Sequence, residues 1–518
     1  MKIDWKKGIG KGGLVRLRQF SQAVFLLTFL WLFLQTESKG ANELGYPVKI
    51  FLDADPLLAL TTLLASRSLP PALVLALAVA VATVILGRFF CGWVCPLGTI
   101  HHLAGRLNGR RPALLRADAQ EGALRKYRWK YVLLLFLFAT SLFGVQLAGI
   151  FDPLCLLIRS LSLAVYPVIV YGLRMLFDGL YALDLPFVTA GSESVYGLLK
   201  KTLLPFSQPY ALQAVPLGLL FVAVLALNLV ERRFWCKYLC PLGALLGLLS
   251  RWSPVGRSVS EGCNGCGACI PDCQGAASPE AGAGWRKTEC LLCGNCDDPC
   301  PRNAVSFGWI GKAPSASLDL GKRRVAGAIL AGAAAVPLLR VTPLSKPETG
   351  DPTLIRPPGA LAEREFLQRC IRCGECMKVC ITGGLQPALF EGGVEGIWSP
   401  VLVPRIGYCE YHCTLCGQVC PTGAIENLSL ERKAEVKIGL AMIDPGRCLP
   451  IAHGLSCIVC EEVCPTSPKA IWFETGPVTA RDGRQGLYKQ PRVDLEKCVG
   501  CAGSARPNVP SWAGLPSP

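Results

Sequence analysis

The stretch Cys290-Leu291-Leu292-Cys293-Gly294-Asn295-Cys296-Asp297-Asp298-Pro299-Cys300-Pro301 decides how this chain is read. Its spacing, Cys-x2-Cys-x2-Cys-x3-Cys-Pro, is the one in which three thiolates grip an iron–sulfur cube while the fourth reaches a neighbouring cube. Five such runs occur in 518 residues that also carry apolar stretches of membrane length. The implied cargo is electrons rather than a bound metabolite.

At about 150 residues per domain the length allows roughly three domains. Composition separates them: residues 1–257 hold five of the 27 cysteines and most apolar runs, and residues 258–501 hold the other 22. Cysteines two apart inside repeated units suit metal better than a disulfide scaffold. Structural zinc favours two separated Cys-x2-Cys knuckles, whereas thiols at i, i+3 and i+6 with a fourth at i+10 fit the corners of a cube. The net charge of +16 flanks the apolar stretches, where it reads as membrane topology and not as a nucleic-acid face.

Residues 19–35, 71–87, 131–151 and 202–230 lack Asp, Glu, Lys and Arg over about the 17–25 residues a spanning helix needs, which predicts four spans. Lys2, Lys6, Lys7, Lys11, Arg16 and Arg18 precede the first. Arg88, Arg106, Arg110, Arg111, Arg116, Arg125, Lys126, Arg128 and Lys130 follow the second, and Arg232, Arg233 and Lys237 follow the fourth. The positive-inside rule puts all of these in the cytoplasm, with Glu37, Glu43, Asp53 and Asp55 outside. Residues 160–177, interrupted by Pro167 and Arg174, read as an interfacial or re-entrant fifth stretch.

Matching sequences end spans two and four: Phe90-Cys91-Gly92-Trp93-Val94-Cys95-Pro96-Leu97-Gly98 and Trp235-Cys236-Lys237-Tyr238-Leu239-Cys240-Pro241-Leu242-Gly243. Residues four apart share a helix face, so each pair turns two thiols one way. Together Cys91, Cys95, Cys236 and Cys240 could ligate a further redox centre. His101 and His102 are conceivable proton acceptors for a quinol, and Cys155 reads as structural.

Cys263, Cys266, Cys269 and Cys273 precede Cys290, Cys293, Cys296 and Cys300 as an internal repeat. Crossed ligation predicts one cube on Cys263, Cys266, Cys269 and Cys300, and a second on Cys290, Cys293, Cys296 and Cys273. Gly265, Gly267 and Gly294 permit the tight turns that aim amides at sulfide. Beyond them, Gly321-Lys322-Arg323-Arg324-Val325 precedes the uncharged residues 326–339 and a Pro-rich stretch at 343–358. Adjacent arginines before an apolar run look like a twin-arginine export signal, although Ala326-Gly327 replaces the usual Phe-Leu.

Four motifs follow: Cys370, Cys373, Cys376 and Cys380; Cys409, Cys413, Cys416 and Cys420; Cys448, Cys457, Cys460 and Cys464; and Cys498 with Cys501 alone. The last is broken by Ala502-Gly503-Ser504-Ala505-Arg506-Pro507, either because the final cube is absent or because the reading frame has shifted. The first motif is expected to exchange its fourth cysteine with the last, which would leave Cys380 without a complete partner site.

Residues 14–310 resemble NapH, the membrane ferredoxin of the periplasmic nitrate reductase system, in the order of spans, Cys-x3-Cys-Pro pairs and two cluster motifs. Residues 321–501 resemble its exported partner NapG through Arg323-Arg324, Arg356-Pro357-Pro358-Gly359-Ala360 and the four cysteine groups. The resemblance implies a fusion that oxidises quinol and delivers electrons to a periplasmic reductase.

The expected architecture is an α-helical membrane domain (1–257), an α+β ferredoxin-like [4Fe–4S] domain (258–310), a twin-arginine-like linker (311–365) and a multi-cluster ferredoxin domain (366–518). Two clusters are expected in the first ferredoxin domain and about two to four in the second. The expected place is the bacterial inner membrane, with the first cluster domain cytoplasmic and the second periplasmic. No nucleophile–base set, P-loop, dinucleotide fingerprint or haem motif appears. Any catalysis is therefore redox relay, either as a component of a quinol dehydrogenase or as a non-catalytic electron carrier, with catalytic residues unassigned. A redox-sensing or metalloenzyme-assembly polyferredoxin is the alternative.

Overall fold

The computed structural model describes residues 12–38, 42–69, 73–107, 127–183, 186–205, 208–270, 273–275, 277, 285–309, 320–340 and 354–501. The expectations concerning Lys2, Lys6, Lys7, Lys11, Arg110, Arg111, Arg116, Arg125, Lys126, residues 343–353 and residues 502–507 lie outside them. The chain forms two compact units, each assembled from separated stretches. The first comprises 1–33, 49–160 and 216–337, and the second 34–48, 161–215 and 338–518.

Helices of the first unit turn their polar residues inward. In Gly13–Gln35 the buried side chains include Arg18 and Gln22, while Phe20, Leu27 and Trp31 are exposed. Leu73–Leu86 and Ala214–Val230 expose Val74, Leu77, Val215, Leu219 and Val222 in the same way. Contiguous apolar surface on this scale marks a face that meets lipid or protein.

Among the described residues two helices are long and apolar enough to cross a bilayer: Gly13–Gln35, with 23 residues, and the continuous run Pro153–Ala182, with 30. The stretch at 160–177 lies inside the second of these, with Pro167 at the tolerated first turn of Tyr166–Ala182. The other three expected spans are shorter helices, Leu73–Leu86 and Trp129–Leu142 of 14 residues and Ala214–Val230 of 17. Gly144, at φ 79°, helps end the second of these, since that backbone conformation cannot continue a right-handed helix. Asp55 and Asp152 cap the helices that start at Pro56 and Pro153, accepting from the backbone N–H of Leu57 and Leu58, and of Leu154 and Cys155.

The first cluster block is pinned to the helix ends. Strand Val255–Val259 pairs antiparallel with Val305–Trp309, and between them Val255, Leu292, Val305 and Phe307 form a core against which Cys290, Cys296 and Cys300 pack. Each such side chain contributes about 1.5–3 kcal/mol by leaving water. Gly92 admits the block closely: a Cβ there would stand 2.4 Å from the carbonyl oxygen of Leu291. Trp93 Nε1 donates to Leu292 O at 3.3 Å, and Arg18 donates to Gln274 Oε1 at 2.8 Å and Asn295 Oδ1 at 3.1 Å.

At the centre of this seam Glu289, fully buried, accepts from Arg88 at 3.2 Å, from Tyr131 Oη at 2.6 Å and from the Lys130 ammonium. One carboxylate thus faces two buried cations. The 322–340 segment, expected to be an export signal, is the helix Lys322–Arg340. Within this unit a Cβ on its Gly332 would lie 2.6 Å from the Cβ of Ala139, so a glycine permits close helix packing.

In the second unit Tyr166–Ala182 turns back through Pro186–Thr202, with Phe177 and Tyr196 rings 5.1 Å apart. The second cluster block rests on this unit's other segments. Asn42 Nδ2 donates to Thr414 Oγ1 at 3.0 Å, and Gln213 Nε2 donates to Pro387 O at 2.8 Å. Its longest sheet is the hairpin Ile471–Thr479 with Gln485–Val493.

Replacing Glu289 by Ala leaves Arg88 and Lys130 buried without their counter-charge, so the thermal unfolding midpoint in detergent should fall by the equivalent of about 3–5 kcal/mol. The triple replacement Glu289→Met, Arg88→Met, Lys130→Met should recover most of that loss. A single variant as stable as the parent would contradict the assignment.

Candidate iron–sulfur sites

One backbone device recurs in three motifs. The residues before the second cysteine, Gly265, Leu292 and Arg372, and those after it, Gly267, Gly294 and Gly374, all have positive φ. For Leu292 and Arg372 that conformation costs about 1–2 kcal/mol. It curls the loop around a centre and turns amides inward. In the second unit the third cysteine rides on a single helical turn, Glu375–Lys378, Leu415–Gln418 or Val459–Glu462. This explains the recurrent Cys-x2-Cys-x3-Cys ending there.

The cysteines ring cavities. Cys370, Cys373, Cys376 and Cys420 line one of about 370 Å³, and Cys380, Cys409, Cys413 and Cys416 line another of about 420 Å³. Cys420 of the second motif thus stands with the first three cysteines of the first motif, and Cys380 stands with those of the second motif rather than of the last. The reason is chain proximity: Ala360 bridges to Ile425, and the Glu426 N–H donates to Gly359 O at 2.7 Å, which folds the second motif onto the first.

Cys464 and Cys498 share a small core with Ala470 and Ile471, and Cys460 packs against it. The third and fourth motifs are thus brought together as well. Cys501 O accepts from Cys409 N–H at 2.9 Å. Cys448, Cys457 and Cys460 stand near enough for burial and mutual repulsion to raise the Cys448 and Cys460 thiols.

In the first unit Cys273 lines a cavity of about 400 Å³ with Cys290, Cys293 and Cys296, and Cys269 also touches its wall. Cys263 and Cys266 are exposed, and Cys300 packs beside Cys290 and Cys296. The structure does not gather Cys263, Cys266, Cys269 and Cys300 as tightly as the other four.

Amide hydrogens reach several sulfurs, from Leu292 to Cys290 at 3.4 Å, Ala304 to Cys300 at 3.3 Å, Ile425 to Cys420 at 3.5 Å and Ala441 to Cys498 at 3.4 Å. No disulfide joins the described cysteines, and among the described residues no three His, Cys, Asp or Glu side chains converge on a single ion position. Thiols spaced around an apolar cavity with amides aimed at sulfur fit a cluster.

The two Cys-x3-Cys-Pro pairs also meet. The charge on Cys236 is felt by Cys95 and Cys240, and that on Cys91 by all three other thiols. Gly98 and Gly243 N–H groups donate to Cys95 and Cys240 sulfur at 3.5 and 3.2 Å. Sequence reasoning missed Arg88 and Arg233 as site residues. Arg88 donates to Cys91 Sγ at 3.9 Å. Arg233 is 1% exposed, and among the described residues its Nε, Nη1 and Nη2 have no hydrogen-bond partner. The signal was available, since each arginine stands three residues before the first cysteine of its pair.

His101 Nδ1 lies 2.7 Å from Asn228 Nδ2, and His102 Nδ1 lies 3.1 Å from the side-chain nitrogen of Gln274, the neighbour of Cys273. Burial and the Arg233 charge push His101 down to about 4, and burial with nearby arginines pushes His102 down to about 3. Both imidazoles are neutral at pH 7. Cys155 is fully buried behind Asp152, as a structural residue would be.

Residues 68–113 and 213–259, which carry the two Cys-x3-Cys-Pro pairs, match the family described as 4Fe-4S binding domain. The chain is similar to the methylamine utilization ferredoxin-type protein MauM of Methylobacillus flagellatus, 32% identical over 199 residues that make up 37% of this chain and 78% of MauM. It is 35% identical to the ferredoxin-type protein NapG of Escherichia coli over 149 residues, 28% of this chain and 62% of NapG. The putative electron transport protein YccM of Escherichia coli is 28% identical over 235 residues, 44% of this chain and 53% of YccM. No solved structure matches the chain.

The ring assignment predicts a non-additive pattern. Cys370→Ser and Cys420→Ser should each cost the same cluster, and the double variant no more than either, a loss of about four iron atoms. Cys370→Ser with Cys380→Ser should cost about eight. Iron and acid-labile sulfide analysis of anaerobically purified protein reads the difference.

Proposed function

We propose that this chain, which belongs to the ferredoxin-type iron–sulfur protein family of MauM and NapG, is a membrane-bound relay that takes electrons from a quinol and passes them to a reductase outside the membrane. The observation that carries the reading is the set of four-thiol rings in both units, next to helices whose exposed faces are apolar. [4Fe–4S] clusters bound there supply one-electron steps, at potentials set by burial, charge and hydrogen bonds to sulfur.

Cys273, Cys290, Cys293 and Cys296 would hold one cluster, Cys263, Cys266, Cys269 and Cys300 another, and the two rings around Cys370 and Cys409 two more. Cys448, Cys457, Cys460, Cys464, Cys498 and Cys501 would serve the remaining site or sites. Arg88 and Arg233 make Cys91, Cys95, Cys236 and Cys240 a suitable seat for an anionic redox centre, because buried guanidinium groups offset thiolate charge. The family name on 68–113 and 213–259 supports this.

Charge sets the topology. The basic residues Arg16, Arg18, Arg232, Arg233 and Lys237, the last three just before the first cluster block, mark one side, and Glu37, Glu43, Asp53 and Asp55 mark the other. By the positive-inside rule the first faces the cytoplasm and the second the periplasm. MauM and NapG belong to differently named systems, so the terminal acceptor is assigned only as a periplasmic reductase or its carrier.

Inverted membrane vesicles and spheroplasts test the reading together. Quinol should bleach the visible cluster absorbance of the purified protein, and external protease should cut residues 366–501 but not 258–310 in spheroplasts. Cys91→Ser with Cys236→Ser should lower the iron content. Clusters that stay oxidised under quinol would end the relay proposal, and unchanged iron would remove the four-thiol centre.

A further inference from the structure

We infer that the second unit contains a quinone-headgroup site between its long apolar helix and its cysteine loops; this rests on the reading that a quinol is the electron donor. The site is a partly open cavity lined by residues of that helix and of the loop that follows Cys376.

One wall comes from Leu163, Tyr166 and Pro167, in the run Pro153–Ala182 that is long enough to cross a bilayer. The other comes from the loop after Cys376. Val379, Cys380, Ile381 and Leu385 line this cavity and also the cavity ringed by Cys380, Cys409, Cys413 and Cys416. Met377 likewise lines both this cavity and the ring of Cys370, Cys373, Cys376 and Cys420. A flat ring bound here would be one residue's thickness from both thiol rings.

Three further observations point to a ligand. Ser162 is 4% exposed and is one of the residues that line the cavity, and its buried hydroxyl has no hydrogen-bond partner among the described residues; a buried hydroxyl left unpaired costs about 1–3 kcal/mol. Ser162 stands in Leu161–Val165, a π-helical turn inserted in an otherwise α-helical run, and such turns are concentrated at functional sites. The Lys378 ammonium, 4.0 Å from the centroid of the Tyr166 ring, adds a second donor to the wall.

The chemistry of the wall selects the ligand class. Apolar side chains face a ring, while a hydroxyl and an ammonium can each donate to a ring oxygen. Next to Pro167 the helix exposes Val168, Ile169 and Tyr171, a lipid-compatible face along which an isoprenoid tail can lie. Oxidation of a bound quinol breaks its two O–H bonds. The two electrons leave singly for the oxidised iron–sulfur clusters assigned to the two rings, and the two protons leave for water past Glu37, the acidic side chain in the wall.

The test uses the full chain, anaerobically purified in phospholipid nanodiscs, with duroquinol as reductant and a short-tailed azidoquinone as photoprobe. Illumination should label peptides containing 162–167 or 377–385. Leu163→Trp should abolish labelling and slow cluster reduction by duroquinol about tenfold or more, as an intruding ring does in a packed pocket. Its iron content and dithionite-reduced EPR spectrum should be unchanged. Ser162→Ala, a milder change, should raise the KM for duroquinol about threefold to tenfold with the same spectrum.

Labelling at 96–107, with both variants reduced at the parent rate, would overturn this location while leaving the quinol reading intact. A parent protein that duroquinol cannot reduce would overturn both.

Discussion

An iron–sulfur cube demands four thiolates around one volume, and a single Cys-x2-Cys-x2-Cys loop turns only three inward. The fourth has to arrive from another segment, so every complete ring requires two stretches of chain to fold together. In this protein the requirement is met locally in sequence. Cys273 joins Cys290, Cys293 and Cys296, and neighbouring motifs trade Cys380 for Cys420. The ring is therefore also the tertiary restraint. The block around Cys290, Cys296 and Cys300 has a small apolar core of Val255, Leu292, Val305 and Phe307, and a cluster held by its thiols would add a further restraint.

Around that constraint the first unit is arranged inside out. Arg18, Gln22, Arg88, Lys130 and Glu289 are buried, while Phe20, Leu27, Val74 and Leu219 are exposed. Charges taken out of water must be paired, and Glu289 pairs two of them at the residue preceding Cys290. The helix ends and the cysteine loop are consequently locked by one carboxylate. Arg233, buried with no partner for its guanidinium, is the counter-case. It stands beside the thiol set of Cys91, Cys95, Cys236 and Cys240, where an anion would balance it.

Much of this was legible from spacing. Cysteine intervals specify thiol rings because ligation geometry fixes how far apart along the chain three donors to one cube can be. The convergence of the Cys91 and Cys236 pairs followed from their matching Cys-x3-Cys-Pro helix ends. Arg88 and Arg233 went unnoticed although their position in the repeat is identical, since arginine near an apolar segment reads first as a topology signal. The unbroken helical run at Pro153–Ala182 was not legible in the sequence, because Pro167 and Arg174 look like interruptions. A proline in a first turn and an arginine that donates to Pro205 O at 2.9 Å interrupt nothing.

By itself, then, the sequence determined where the cysteine motifs lie, how many there are and which stretches are apolar, because those properties are written in residue type and interval. Only the tertiary structure decided which cysteine completes which ring, which helices reach membrane length, and where an unpaired serine meets a cavity beside two thiol rings. Exchange between motifs depends on loops brought together by backbone hydrogen bonds such as Glu426 to Gly359. Such bonds involve groups that every residue carries, so no pattern of side chains announces them.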